Sequence, residues 1–348
     1  MYVAAIIGAG TISDFHVQGW KNIPEVEIGY VVDINTDLAK EKADKWGIKN
    51  FLSEYKKVLE DPSVSIVDIC LPHQLHHQFT IDALNAGKNV LCEKPIALTL
   101  RQANEIRQAE ISSGTLFMIA ENWYYIPAIR KAYELYKSGI IGDAYNFRAN
   151  LDFPGERKSM DTSSDSRNSG WRGNKDLCGG GVLLDAGIHT LSIGRWFMGE
   201  PETVAGNFGR QVNEMESGLE DSFTAMINFK NSTTGLFHFA EPAGYSGSFD
   251  FKILGEKGSI EIDIFKELVK VNTGKDAQEF TEKAKGGMTE EMEHFVECLK
   301  EKKQPISSSE DQIRSLALVL AAYDSANKKG MPVSVDEILL KHKGETVS

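Results

Sequence analysis

Cysteine is scarce in this chain: only four of the 348 residues are cysteines, and no two of them have CxxC spacing. A disulfide framework needs a denser set of cysteines, and a closed zinc site needs paired ligands. We therefore expect free thiols in a reducing compartment and no metal site. The four cysteines are Cys70, Cys92, Cys178 and Cys298.

Positive charge is also in short supply, because 38 Lys and Arg residues face 50 Asp and Glu residues, giving a net charge of -12. Binding to a nucleic-acid backbone needs clustered positive charge, so we expect no nucleic-acid partner. The first apolar run, MYVAAIIGAG, is short and contains no basic residue, which predicts neither a signal peptide nor a membrane span. We expect a cytoplasmic protein with no membrane partner.

The apolar runs that are present predict two domains, as does the length of the chain. In the first 120 residues, runs rich in Val and Ile alternate with helical patterns, which is typical of a parallel sheet covered on both faces. We predict an α/β Rossmann domain over residues 1–121. The runs are YVAAII, VEIGYVV, VSIVDICL, NVLCE and LFMIAE.

The pattern changes after about residue 143, where several short segments alternate apolar with polar residues. This alternation indicates an α+β domain with a large, mostly antiparallel open sheet, which we assign to residues 122–348. Two helices, near 288–302 and 308–328, should close the chain and pack back toward the first domain. We expect the outer face of the sheet to carry four phenylalanines, some of them core residues: Phe208, Phe223, Phe237 and Phe239.

A glycine-rich turn, IIGAGTIS, follows the first apolar run. Gly8 and Gly10 would allow a tight turn, and a helix starting near Thr11 and Ile12 would direct its amide groups at a pyrophosphate. An ordinary strand-to-helix turn can show the same pattern. Asp33 ends the second strand at the spacing of a carboxylate that binds a ribose hydroxyl, which favours NAD over NADP.

The third long strand ends in LPHQLHH, at an edge of the sheet where ligands bind in such folds. We expect Leu71, Pro72, His73 and His76 to line the cofactor cleft, and His77 to lie on the helix surface. His73 and His76 are three residues apart, but no Cys or carboxylate nearby completes a metal shell.

Lys94 ends the next strand, within NVLCEKP, and is followed by Pro95, which restricts its backbone. An ammonium at this edge can stabilise negative charge on a reacting oxygen, although a lysine paired with Glu93 would also fit the position. Farther along, Asp185 and His189 are four residues apart in a largely apolar stretch, so a helix would bring both to one face as an acid/base unit.

The combination of GAGTIS, LPHQLH, EKP and GGGVLLDAGIH resembles the glucose-fructose oxidoreductase, inositol dehydrogenase and rhizopine catabolism (Gfo/Idh/MocA) family. The resemblance extends to about residue 330. It implies a nicotinamide-dependent oxidoreductase acting on a sugar or cyclitol, with Lys94, Asp185 and His189 as the catalytic group. It also implies cofactor contacts at Glu93, Lys94 and Asn122.

We expect the substrate to contact Trp123, Tyr124, Trp171 and Arg172, besides the catalytic group. Two positions depart from the family pattern. His73 replaces the usual asparagine of the third-strand turn, which changes the expected nicotinamide and ribose contacts. Tyr124 replaces a frequent arginine, so substrate selection is expected to differ.

Two other functions are compatible with this family: a non-catalytic NAD-dependent sensor, and a glycosidase that uses bound NAD for transient oxidation. The three intact catalytic side chains favour a dehydrogenase over a sensor. The family also implies a homodimer or homotetramer formed through exposed sheet faces.

Overall fold

The structure, a computed structural model, describes residues 1–152, 170–209, 219–241, 247–286 and 288–341. The chain forms two units: the first comprises Met1–Asn122 and Lys285–Ile313, and the second comprises Trp123–Ala284 and Arg314–Ser348. The helices are α1 (Thr11–Lys21), α2 (Thr36–Trp46), α3 (Tyr55–Glu60), α4 (His73–Asn85), α5 (Leu100–Ser113), α6 (Pro127–Lys137), α7 (Lys175–Cys178), α8 (Ile188–Met198), α9 (Thr289–Glu301), α10 (Ser309–Asn327) and α11 (Val335–Lys341).

The first unit contains a six-stranded parallel sheet, which confirms the predicted Rossmann fold. Its spatial order is β3-β2-β1-β4-β5-β6. The short edge strand β3 was not expected, because three residues are too few to form a recognisable apolar run. The strands are β1 (Tyr2–Ile7), β2 (Val26–Val32), β3 (Asn50–Leu52), β4 (Ile66–Ile69), β5 (Asn89–Glu93) and β6 (Phe117–Ala120).

The chain direction around this sheet reverses at β1, since β2 lies on one side of β1 and β4 on the other. In open parallel sheets, ligands bind beyond the carboxyl ends of the strands at such a switch point. The ends of β1 and β4 are followed by Gly8 and Cys70, which therefore flank the expected crevice.

Helix α9 belongs to the first unit, where it packs on α1. Trp20 of α1 meets Phe295 edge-on, with ring centroids 5.7 Å apart. Gly19 permits this approach, because a Cβ at that position would lie 2.4 Å from the sulfur of Met292. Burial of two large aromatic rings against each other stabilises the pair beyond the contribution of their area alone.

The second unit contains a nine-stranded sheet in the order β14-β13-β12-β11-β7-β10-β9-β8-β15. Strands β7 and β10 are parallel and the other pairs are antiparallel, so the predicted mostly antiparallel sheet is confirmed. The strands are β7 (Ala144–Asp152), β8 (Pro201–Phe208), β9 (Ser222–Phe229), β10 (Thr234–Ala240), β11 (Ser248–Gly255), β12 (Gly258–Asp263), β13 (Leu268–Asn272), β14 (Ala277–Thr281) and β15 (Val333–Ser334).

The expected placement of the phenylalanines on the outer face of this sheet is wrong. Phe223, Phe237 and Phe239 are buried, and a Cβ on Gly194 of α8 would lie 2.6 Å from the Phe237 ring. Phe208 is 44% exposed but stacks on Tyr323. Strand alternation alone does not say which face a helix covers, and α8 covers the phenylalanine face.

One stretch of the described residues, Lys175–Met198, is long and apolar enough to cross a membrane. Its most apolar window is 89% buried within the protein. That degree of burial is typical of a core helix.

Candidate functional site

The turn after β1 has the close approach that its glycines predict. Gly8 has a φ of +102°, and a Cβ there would lie 2.3 Å from the carbonyl oxygen of Cys70. Any other residue would therefore clash with the end of β4 and would adopt a backbone conformation that L-residues rarely adopt. The absence of a side chain at Gly8 therefore lets the turn lie close to the end of the neighbouring strand.

The start of α1 is open toward a ligand. Gly10 precedes Thr11 in an extended conformation, and its missing side chain provides no cap for the helix. A Cβ on Gly10 would meet no protein atom within 4 Å. The first amide groups of a helix favour anions, so this N-terminus fits the pyrophosphate of a dinucleotide.

Asp33 follows β2 and is tied to the glycine turn. Its Oδ2 accepts a hydrogen bond from the amide of Ala9 at 2.9 Å, and its Oδ1 accepts one from Asn35 at 2.9 Å. The carboxylate is thus held beside the turn, where it could receive a ribose hydroxyl. The residue that follows, Ile34, is 93% exposed and carries no positive charge that could receive a phosphate.

The turn that follows β4 and contains Leu71 and Pro72 is held by hydrogen bonds from His76 of α4. The side chain is fully buried, with Nδ1 2.7 Å from the carbonyl oxygen of Pro95 and Nε2 2.8 Å from that of Leu71. Burial lowers the pKa of His76 below its usual value, although the hydrogen bonds to these two carbonyls act in the opposite direction. His76 therefore supports the turn, while Leu71 and Pro72 are partly exposed.

Lys94 lies directly after β5, and the peptide bond that joins it to Pro95 is cis. Its backbone amide donates to Oε2 of Glu93 at 3.1 Å. The Glu93 side chain is buried, whereas Lys94 is partly exposed. The predicted residues of the first unit lie at the carboxyl ends of strands, as Glu93 does, or in the turns and helix starts that follow them.

Sequence reasoning missed a buried polar cluster beneath this edge, which consists of His16, Trp20, Asp68 and Glu93. His16 and Trp20 are four residues apart on α1, and Asp68 interrupts the apolar run of β4. A carboxylate inside a buried strand requires a partner, and that was the available signal.

Possible ligand atoms of His16, Asp68 and Cys70 lie within 4.8 Å of one another. Both nitrogens of His16 already face carboxylate oxygens at about hydrogen-bond distance. Burial raises the pKa of the Cys70 thiol to about 12, which keeps it protonated. A cysteine binds a metal as the thiolate and a histidine through a free ring nitrogen, and neither is present here, so this group fits a hydrogen-bond cluster better than a metal site.

In the second unit, a glycine segment leads into a π-helical turn, Leu183–Gly187, and then into α8. The carboxylate of Glu220 accepts hydrogen bonds from the amides of Gly181 and Leu183, at 3.0 and 3.1 Å, and from the hydroxyl of Tyr323 at 2.6 Å. Burial raises the pKa of Glu220, although these hydrogen bonds act in the opposite direction. Glu220 thus anchors the start of the helical stretch.

Asp185 lies in the π-helical turn and His189 in the first turn of α8. Both are largely buried, at 7% and 8% exposure. Nε of Arg172 lies 3.4 Å from Oδ2 of Asp185, and the His189 ring stacks on Trp123 with centroids 5.1 Å apart and an interplanar angle of 6°. π-Helical turns are rare and often occur at functional sites.

The other predicted substrate residues have different surroundings. The Arg172 guanidinium lies 4.3 Å from the ring centroid of Trp171, a cation–π contact, and both side chains are partly exposed. Tyr124 is 1% exposed and packs edge-on against Trp196, with ring centroids 5.3 Å apart. Its burial favours a core role over direct contact with a substrate.

A pocket within the second unit brings several of these groups together. Carboxyl groups of Asp185, Glu220 and Glu241 line it together with the guanidinium of Arg172. Small residues Gly180 and Gly181 form part of its wall. The free volume of this pocket is about 10 Å³, room for about one water molecule, so the pocket does not by itself accommodate a sugar.

Comparison with known proteins identified relatives over nearly the full chain. An uncharacterized oxidoreductase, YrbE, from Bacillus subtilis is 28% identical over 96% of both chains. Myo-inositol 2-dehydrogenase from Thermotoga maritima is 25% identical over 96% of this chain and 98% of its own. A solved structure of levoglucosan dehydrogenase in complex with NADH and levoglucosan has a TM-score of 0.86 at 24% identity, covering 96% of this chain and 99% of the other.

Family models match both parts of the chain. Residues 3–121 match the oxidoreductase family with an NAD-binding Rossmann fold, and residues 129–261 match the GFO/IDH/MocA C-terminal domain. The open helix start, the tethered Asp33 and the strand-end lysine agree with that assignment. The chain belongs to the Gfo/Idh/MocA family of NAD-binding oxidoreductases.

Proposed function

We propose that this protein is an NAD-dependent dehydrogenase that oxidises a hydroxyl group of a sugar, sugar derivative or cyclitol. The observation that carries the proposal is the uncapped start of α1 beside Gly10, with the Asp33 carboxylate fastened to the same turn. Relatives named for myo-inositol and levoglucosan oxidation support the substrate class.

The glycine turn and Asp33 would hold the cofactor. The amides of Thr11 and Ile12 at the start of α1 would bind the pyrophosphate, and Asp33 would accept hydrogen bonds from a ribose. A 2'-phosphate would be repelled by this carboxylate, which favours NAD over NADP. Backbone groups at Leu71, Pro72 and His73, with Glu93 and Asn122, complete the proposed cofactor contacts.

Bound NAD supplies the acceptor for the hydride. His189 takes the hydroxyl proton as the carbinol C–H bond breaks, and Lys94 donates a hydrogen bond to the same oxygen, which stabilises its developing negative charge. Asp185 accepts a hydrogen bond from the substrate and fixes its orientation. The partial burial of His189 against Trp123 limits the positions its ring can adopt.

The second unit supports a polyhydroxylated, uncharged substrate. The Asp185 carboxylate would accept a hydrogen bond from a substrate hydroxyl, while Arg172, whose Nε lies 3.4 Å from Asp185 Oδ2, would donate one. Trp123 and Trp171 supply flat apolar surfaces suited to the C–H face of a sugar ring.

The proposal is tested by following NADH absorbance with the purified protein across aldoses, inositols and sugar acids, with NAD or NADP as acceptor. Steady NADH formation with a sugar or cyclitol is expected. Binding of NAD without turnover of any compound would favour the sensor. Hydrolysis of a glycoside without net NADH would favour the glycosidase.

We further propose that the protein forms a homodimer or homotetramer through the open face of the second unit's sheet. Met226 and Leu236 lie directly opposite each other on β9 and β10, and they are 45% and 44% exposed. Sedimentation analysis should give a mass of two or four chains. A monomer at micromolar concentration would contradict this assembly.

A further inference from the structure

His16 has a polar environment that its place on an apolar helix face does not predict. The side chain is fully buried. Its Nδ1 lies 3.0 and 2.9 Å from the two oxygens of Asp68 on β4, and its Nε2 lies 3.0 Å from Oε1 of Glu93 on β5. The imidazole therefore bridges the carboxyl-terminal ends of β4 and β5, two neighbouring strands of the parallel sheet.

The geometry fixes the charge of this ring. An ionised carboxylate only accepts hydrogen bonds, so a ring that faces a carboxylate at each nitrogen must donate from both. Asp68 is held in place by the Trp20 indole, which donates to its Oδ2 at 2.7 Å. Burial lowers the pKa of His16, but electrostatic and hydrogen-bond interactions with Asp68 and Cys70 together outweigh it and hold the pKa above its usual value.

Glu93 connects this ring to Lys94. Its Oε1 faces His16, and its Oε2 accepts the backbone amide hydrogen of Lys94. One carboxylate thus spans the imidazole and the lysine backbone. Any rotation of the Glu93 side chain breaks one of these two contacts.

We propose that His16 is a positioning residue for Lys94: its imidazolium, clamped by Asp68, fixes the Glu93 carboxylate, and this carboxylate fixes the backbone of Lys94. The proposal rests on the proposed dehydrogenase function, because Lys94 acts on the substrate oxygen there. His16 itself touches neither substrate nor cofactor in this scheme.

Other acidic groups make the positive charge of His16 important. Cys70 lies beside Asp68, and the charges of Glu93, Glu121 and Asp68 all raise the pKa of the fully buried Glu291 on α9, where burial is the largest cause. The positive charge of His16 lowers the pKa of Glu291, against these causes. Without the imidazolium, Asp68 and Glu93 would be two buried carboxylates with no cation between them, and Glu93 would move or take up a proton.

The first test is His16→Gln, which replaces the imidazole with a neutral amide that can still donate hydrogen bonds and so removes the charge. We expect kcat to fall by about 10- to 100-fold, because a catalytic group displaced by about an ångström costs that much, while KM for the sugar and Kd for NAD change less than about threefold. The matched control is His77→Gln on the partly exposed side of α4, which should leave kcat unchanged. A folded His16→Gln enzyme with wild-type kcat overturns the proposal.

A second variant, Asp68→Asn, keeps the side-chain volume and an acceptor for Trp20. It removes the charge that raises the pKa of His16, so the ring should lose its proton at lower pH than in the wild type. We expect the ratio of variant to wild-type kcat to approach one in mild acid and to fall as the pH rises. A ratio that does not change with pH overturns the proposal, even if His16→Gln fails to fold.

A third measurement does not depend on turnover. Nitrogen-15 NMR of the histidine rings in the NAD-loaded protein should show both His16 nitrogens protonated at neutral pH, assigned by loss of the signals in His16→Gln or by comparison with Asp68→Asn. A neutral His16 ring overturns the proposal. If the wild type oxidises no sugar or cyclitol, the proposed function fails, and the NMR result still decides the state of His16.

Discussion

In the first unit the candidate residues follow the ends of five different strands, β1, β2, β4, β5 and β6, whereas in the second unit Asp185 and His189 come from one helical stretch. Strand ends are positioned by the hydrogen bonds of the whole sheet. The helical stretch is positioned by a few side chains at its start, mainly Glu220 and Tyr323. Apart from Lys94, whose backbone is held through Glu93 and His16, the first arrangement is therefore less sensitive to single supporting residues than the second.

The largest expected effect concerns the strand-end lysine. Lys94→Met should lower kcat by about 10² to 10⁴-fold, the range of acid/base and electrostatic contributions, because the substrate oxygen loses its positive partner. NAD affinity, measured by titration, should remain close to wild type. The exposed Lys56→Met serves as the control and should leave kcat unchanged. Wild-type turnover in Lys94→Met would remove Lys94 from the catalytic group.

Glu220, which anchors the start of the helical stretch, should contribute more to the free energy of unfolding than any single contact in the glycine turn of the first unit. Glu220→Gln replaces one of the two carboxylate oxygens, which together accept hydrogen bonds from two buried amides and the Tyr323 hydroxyl. The loss of one acceptor should lower the free energy of unfolding by about 1–3 kcal/mol. Urea unfolding measures this change. Glu202→Gln on the exposed side of β8 is the control and should have little effect. Equal stability of both variants would show that the helix start does not depend on Glu220.

Asp33→Ala should weaken NAD binding by about tenfold, since a charge-assisted hydrogen bond is worth about 1.5–3 kcal/mol and part of it is replaced by water. Binding of NADP should change less, so the dissociation constants for NAD and NADP should become more similar. Titration with both dinucleotides measures the two constants. An unchanged preference would remove Asp33 from the cofactor site.

The smallest expected effect is a gain in stability. Burial raises the pKa of Glu291 above its ordinary 4.5, so folding takes up a proton there and the stability of the wild type falls as the pH rises above about 4.5. Glu291→Gln carries no such penalty and should therefore be more stable than the wild type at neutral pH.

Below about pH 4.5 the advantage of Glu291→Gln should vanish, because the carboxyl group is then neutral in both states. Thermal unfolding at several pH values measures the trend. The exposed Glu293→Gln, which loses only a surface ion pair with Lys285, should show a change near zero. A destabilised Glu291→Gln at neutral pH would mean that the carboxyl group is ionised in the folded protein.

The sequence predicted the parallel sheet and its strand-end residues well because periodicity and glycine spacing are local signals. Helix α1 begins at Thr11, close to the expected start near Ile12. The prediction of which face of the second sheet is covered was wrong. Phe223 and Phe237 alternate with their neighbours in the same way whichever face α8 covers. Tertiary packing, and not the strand pattern, decides that choice.

Clusters formed by distant residues were the least predictable part of the candidate site. His16, Asp68 and Glu93 are separated by dozens of residues, and each looks ordinary within its own segment. The π-helical turn at Asp185 is also absent from the pattern of the sequence, because a helical repeat of 3.6 does not reveal one inserted residue.

Because α9 belongs to the first unit, that unit is completed only late in translation. Trp20 and Gly19 of α1 are covered by Phe295 and Met292, which leave the ribosome more than 270 residues later. A nascent chain that already carries all six parallel strands therefore still exposes the apolar flank of its first helix. Chaperones have a binding surface there for most of translation, and a protease that acts before residue 289 is made would find the cofactor domain unfinished.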